Sequence, residues 1–228
     1  MKRGAVIVTI VGMILLAASG IAIGYGFGTT VQIQQSKVTA TTTATATTNS
    51  SVSSPYVLTL EITTNNTFNS TIGAQPAYYV LGPDGLESSA NISIPVNTTI
   101  KLVIISYDNG NASMIMPNAD VVMGTTNGTE YVASNNYINS SEGANGIDII
   151  GGQSVSMVPP FDIAHTFTVP SLNLNLPIPE SSVVIAYFTV TKAGTFLWFC
   201  ETGCGFGPNG TQGAMSTPGW MTGSLVAS

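Results

Sequence analysis

The chain has 228 residues, enough for one domain of ordinary size with further segments attached. Hydrophobic residues make up 44% and charged residues only 7%, well below the roughly 25% charged residues of an average soluble protein. The net charge of −6 and five scattered cations, Lys2, Arg3, Lys37, Lys101 and Lys192, offer no basic patch, which excludes nucleic acid as a partner.

A surface built from Ser, Thr, Asn and Gly is solvated through uncharged groups, so protonating its few carboxylates changes it little. The composition therefore points to an acidic exterior. Dense glycosylation is a compatible reading. Asn-x-Ser/Thr sequons begin at Asn49, Asn65, Asn69, Asn91, Asn97, Asn111, Asn127, Asn139 and Asn209.

Lys2 and Arg3 precede an uncharged apolar run over residues 5–27, close to the roughly 20 residues that a helix needs to cross a bilayer. Residues 1–28 read as a transmembrane anchor, and the small residues Ala17, Ala18 and Ser19 keep a cleaved signal open as the alternative. The positive-inside rule puts the N terminus in the cytoplasm and the remainder outside. Residues 29–55 are rich in Thr, Ser, Ala and Gln and read as a flexible or O-glycosylated stalk, because they cannot bury enough apolar surface to offset their ordering entropy.

From residue 56 to the end the pattern is short strands between turns, which predicts one all-β domain, a sandwich or barrel. Residues 56–63 alternate apolar with polar, 77–81 form a short apolar run, and Gly82, Pro83, Asp84 and Gly85 are turn chemistry. Strands follow over 91–95 and 99–107, the latter closed by Asp108, Asn109 and Gly110. Residues 111–160 are less regular and read as a long decorated insertion, with one hairpin over 129–138. Its methionines, Met114, Met116, Met123 and Met157, suit packing or a partner contact. Strand patterns return over 162–172, 182–191, 194–200 and 220–227, with Pro177 and Pro179 placed in the connection before Ser182.

The chemistry concentrates near the C terminus, where Cys200 and Cys204 are the only cysteines and His165 is the only histidine. Two cysteines at this spacing outside the cell suit either a disulfide or a pair of thiolates on copper. His165, between apolar strand residues, is either a core histidine or a ligand. Phe196, Trp198 and Phe199 are either ordinary core residues or shielding for a metal.

The sequence around His165 and the stretch from Lys192 to Gly205, with its Cys-x-x-x-Cys-Gly motif, resemble the cupredoxin domain of subunit II of haem-copper terminal oxidases, in an archaeal style. The resemblance is specific over residues 160–228 and extends to the single anchor with an external domain. It implies a cupredoxin-like Greek-key β-sandwich, with His165 as imidazole ligand, Cys200 and Cys204 as bridging thiolates, Met215 as the methionine ligand in preference to Met221, and the Thr202 carbonyl as a weak ligand. The family's second histidine is missing: its position is Pro208, or Gln212 if an insertion after Cys204 is allowed.

Three outcomes follow for the site. Copper sits in an incomplete ligand set; or the cysteines form a disulfide in a vestigial site, as the resemblance to the quinol-oxidising branch implies; or another subunit completes the centre. The implied role is electron transfer or docking at the outer membrane face, beside a haem-bearing subunit I and other oxidase subunits. A free-standing copper carrier resembling sulfocyanin and a non-redox cell-surface module are the alternatives.

Overall fold

Alternation of apolar and polar side chains builds the first strand: in β1 (Tyr56–Asn69), Leu58, Leu60 and Ile62 turn inward while their neighbours stay partly exposed. The computed structural model describes residues 53–110, 112, 114–135 and 152–228. The expected anchor, the expected stalk up to residue 52, the sequons at Asn49, Asn111 and Asn139, and the end of the expected hairpin lie outside these residues. Among the described residues no helix is long and apolar enough to cross a membrane.

The strands are β1, β2 (Gly73–Gly82), β3 (Gly85–Ser88), β4 (Asn91–Ile94), β5 (Thr99–Ser106), β6 (Glu130–Asn135), β7 (Gln153–Val155), β8 (Ile163–Val169), β9 (Leu174–Pro179), β10 (Ser182–Thr189), β11 (Gly194–Phe199) and β12 (Thr222–Ala227). They form two sheets, one of seven strands in the order β3-β2-β1-β5-β10-β6-β7 and one of five in the order β4-β12-β11-β8-β9. Buried side chains of both sheets make one cluster, including Leu60, Ile104 and Val184 from the first and Phe167, Leu176 and Trp198 from the second. The architecture is an all-β sandwich.

Aromatic rings occupy the middle of that cluster. Trp198 stacks on Phe167 with ring centroids 5.4 Å apart and meets the edge of Tyr78 at 5.2 Å. The indole N–H donates to the carbonyl of Ser89 and the Tyr78 hydroxyl to that of Thr166, so neither ring leaves a buried donor unmatched.

Two sequence expectations need correction. Pro177 and Pro179 lie within β9 rather than in a connection, opposite Thr166 and Ile163 of β8. Proline is tolerated because β9 is the edge of its sheet, where a missing N–H breaks no ladder. The described residues of the insertion, in turn, are more ordered than their composition suggests. Glu130–Asn135 pairs with β10 and with β7 instead of closing a local hairpin. Upstream, Met123 exchanges two backbone hydrogen bonds with Asn175 of β9, and the Ala112 amide donates to Ile163 of β8. The described part of the insertion thus covers β9 at Asn175 and reaches β8 at Ile163, and both strands are buried throughout.

Candidate metal centre

Two strands of the smaller sheet carry the chemistry to one point. β8 holds His165 in the interior, and β11 leads directly into Cys200, whose amide donates to the carbonyl of Met221. After Cys200 the chain turns through Glu201, Thr202 and Gly203 before presenting Cys204. The loop is pinned by the insertion: Gly203 donates to the carbonyl of Met114, and Met116 donates to that of Glu201.

His165, Cys200 and Cys204 form the cluster, with His165 and Cys200 buried, Cys204 half-buried and all ligand atoms within 4.8 Å of one another. His165 Nδ1 is 2.9 Å from Cys204 Sγ, and the two sulfurs are 3.4 Å apart. Both cysteines are free thiols, so the disulfide expectation does not hold in this structure.

Asp108 escaped the sequence reading. Its Oδ2 lies 2.8 Å from His165 Nε2, across 57 positions of sequence. The residue looked like part of a turn closing a strand, and no local signal ties it to a distant histidine. Its other oxygen accepts the Gly110 amide, which fixes the carboxylate in place. The arrangement orients the ring: Nε2–H faces the carboxylate and Nδ1 faces the sulfurs.

Thr202 makes contacts that the sequence did not indicate. Its carbonyl accepts the Cys204 amide, while the hydroxyl sits 3.0 Å from Cys200 Sγ and 2.8 Å from Cys204 Sγ and donates to the carbonyl of Ala164. The Thr166 amide donates to Cys200 Sγ at 3.3 Å. A buried chain of polar groups continues outward from here: the Glu201 amide to Thr166 Oγ1, on to Thr168 Oγ1, to Asn175, and to the carbonyls of Ala119 and Val121 in the insertion.

Burial works against the His165 imidazolium, but the Asp108 hydrogen bond and the Cys200 thiolate outweigh it and raise the group to about 9. Burial likewise opposes ionisation of Asp108, and the bond and charge of His165 pull that carboxyl below its usual range. Of the two cysteines one ionises and the other is held as a thiol, because burial and a neighbouring anion disfavour a second charge. Burial and the charges of Asp162 and Asp108 lift Glu180 to about 7. At acidic pH Asp108 is therefore the carboxylate that stays charged beside the ring.

The remaining expected residues follow Cys204 in the chain. Met215 lies half-buried against the core in the short 3-10 turn Gly213–Ser216, and Met221 is fully buried. Gln212 is exposed against Gly207 and closes a small loop with Phe206 by two backbone bonds, and Pro208 begins the 3-10 turn inside it. Of the aromatic residues, Trp198 is enclosed, whereas Phe196 and Phe199 are only half-buried.

Two thiols and an oriented imidazole converging in a protected pocket are a donor set for a soft metal. Hard cations would require a shell of carboxylate and carbonyl oxygens, which the cluster does not provide.

No protein-family model matches the chain, and no curated protein matches it. Solved structures with distant likeness include the periplasmic domain of subunit II of cytochrome oxidase from Bradyrhizobium japonicum, at 10% identity and TM-score 0.32, covering 78% of this chain and 87% of that one. Rusticyanin from Thiobacillus ferrooxidans matches at 13% identity and TM-score 0.30, covering 75% of this chain and 76% of that one. Auracyanin B matches at 14% identity and TM-score 0.29, covering 77% and 91%. Scores of this size leave the assignment to the residues themselves.

Proposed function

We propose that the chain is a cupredoxin-like, copper-binding electron-transfer subunit, the membrane-anchored subunit II of an archaeal-type haem-copper terminal oxidase; its free thiols argue against the quinol-oxidising branch, which the resemblance pairs with a disulfide. The observation that carries this reading is the convergence of His165 Nδ1 with Cys200 and Cys204 Sγ, behind a carboxylate that holds the other ring nitrogen. The donors fit copper in kind. His165, Cys200 and Cys204 would hold it, with Met215 or a neighbouring subunit supplying any further donor. A bound copper ion supplies one-electron redox chemistry, and oxygen reduction belongs to the haem-bearing partner.

What the chain's own residues do is separable from the metal. Asp108 orients the imidazole, Thr202 and the Thr166 amide bond to sulfur, and Tyr78 meets the His165 ring at an edge, 6.3 Å between centroids. The missing second imidazole makes the site an incomplete version of the family's binuclear centre. The apolar run over residues 5–27 supports membrane anchoring with the domain outside.

The native protein, extracted from membranes in mild detergent, tests the assignment. Co-purification with a haem-bearing subunit is the expected result. A chain that retains copper yet purifies without haem partners would favour a free-standing carrier, and a chain with neither would favour the non-redox surface module.

A further inference from the structure

Six sequon asparagines fall among the described residues, Asn65, Asn69, Asn91, Asn97, Asn127 and Asn209, and all six are exposed. None of their Nδ2 atoms has a hydrogen-bond acceptor among the described residues. Asparagines outside sequons behave differently where they are covered. Asn66 Nδ2 donates to Thr63 and Gln75, and Asn175 Nδ2 to Ala119 and Val121. Asn97, Asn127 and Asn209 also hold positive φ values of 55°, 65° and 57°, which puts their side chains on tight turns facing solvent.

Two of the six border a feature that needs covering. β4 is an edge of the five-stranded sheet, and its only strand partner is β12. Bonds from Ser224 to the Ala90 carbonyl and from Val96 to the Ser228 carbonyl extend this pairing beyond the four residues of the strand. The ladder runs through residues 90, 92, 94 and 96, which turns the backbone groups of Asn91 and Ser93 outward.

An open edge of this kind is a template for pairing with another chain. The other edges have their own protection. β3 contains Glu87, β7 is only three residues long, and β9 contains two prolines and is covered by Met123. β4 has no charged residue, although Pro95 removes one outward N–H. Among the described residues Lys101 and Lys192 are the only lysines or arginines, and neither lies on β4. Sequons stand at Asn91, within the strand, and at Asn97, on the turn just after it.

We propose that the exposed sequon asparagines of this domain carry N-linked glycans, and that those at Asn91 and Asn97 shield the open edge of β4 from edge-to-edge association. The chemistry is the usual one for a sequon: the side-chain amide nitrogen forms a bond to the anomeric carbon of a lipid-linked oligosaccharide as the carbon–oxygen bond to the lipid phosphate breaks, the phosphate leaving with the electron pair and the amide giving up one N–H proton. The proposal requires the domain to lie outside the cytoplasm, and it is independent of copper.

The full chain, purified from the cells that make it, is analysed by glycopeptide mass mapping and by light scattering. Glycan mass on the peptides containing Asn91 and Asn97 is expected, and an unmodified Asn91 overturns the proposal. The double variant Asn91→Gln with Asn97→Gln, made in the same cells, should associate several-fold more than wild type, while Asn65→Gln with Asn69→Gln should not. Ser93→Ala removes the first sequon without touching the asparagine and should reproduce part of the effect. Association that is unchanged, or equal in the two double variants, overturns the edge-shielding role.

Discussion

His165 and Glu130 are both buried ionisable residues in one sandwich, and their surroundings are opposite. His165 has a carboxylate on one ring nitrogen and a sulfur on the other. Glu130, at the start of β6, is 1% exposed, and neither of its carboxylate oxygens has a partner. The first group is held charged by partners that converge on it. Burial alone drives Glu130 well above the usual carboxylate range, so it persists as a neutral acid. A buried charge is thus kept only where donors converge, which marks the His165, Cys200 and Cys204 cluster as the built site and Glu130 as a cost carried by the fold.

The largest expected effect removes a ligand. Cys204→Ser replaces a soft donor with a hard one, and copper retention should fall by more than the roughly 10–100-fold typical of outer-shell changes, as read by metal analysis after dialysis. Retention at wild-type level would remove the pocket's claim to be the site. Next comes the aromatic centre of the core: Trp198→Ala should lower unfolding stability by about 3–5 kcal/mol in denaturant titrations. Asp108→Asn should weaken copper affinity by roughly 10–100-fold. Because this variant leaves the three ligand atoms in place, competition titration with a copper chelator separates it from Cys204→Ser.

The smallest effect concerns Glu130 and sharpens the contrast. Above the ordinary carboxylate value of 4.5 the unfolded chain has released this proton while the folded chain still holds it. Stability therefore falls as pH rises from about 4.5 toward the folded value, and it is greatest below that range. Glu130→Gln should flatten this dependence, and Glu130→Leu should stabilise the domain at neutral pH by about 1–3 kcal/mol, the cost of one unsatisfied buried polar group. Denaturation midpoints measured from pH 3 to pH 8 check both. An equal pH dependence in wild type and Glu130→Gln would contradict the assignment of Glu130 as a neutral acid. The direction agrees with the acidic exterior inferred from composition.

The strands were legible wherever one face meets the core and the other meets solvent. β1 and β5 show this as alternation, and their buried Leu60 and Ile104 stand opposite each other across a parallel pairing. β8 and β9 are buried on both faces and carry no such alternation, and the prolines of β9 look like loop residues until the strand is known to be an edge. In the site, His165, Cys200 and Cys204 could be named because their side chains have few other uses together. Asp108 and Thr202 could not be assigned their roles, since an aspartate in a turn and a threonine between cysteines acquire them only from groups brought up by folding. The contacts of Met114, Met116 and Met123 were hidden for the same reason: they are made through backbone groups, which side-chain identity does not report.

The most direct test of the central claim is copper stoichiometry, measured with visible absorption and a free-thiol count on the full chain purified under reducing conditions and loaded with copper. Stoichiometric copper, thiolate-to-copper absorption bands and protected thiols are the predicted result. A chain that takes up no copper while both thiols remain free, or that shows Cys200 and Cys204 joined in a disulfide in the native protein, would contradict it.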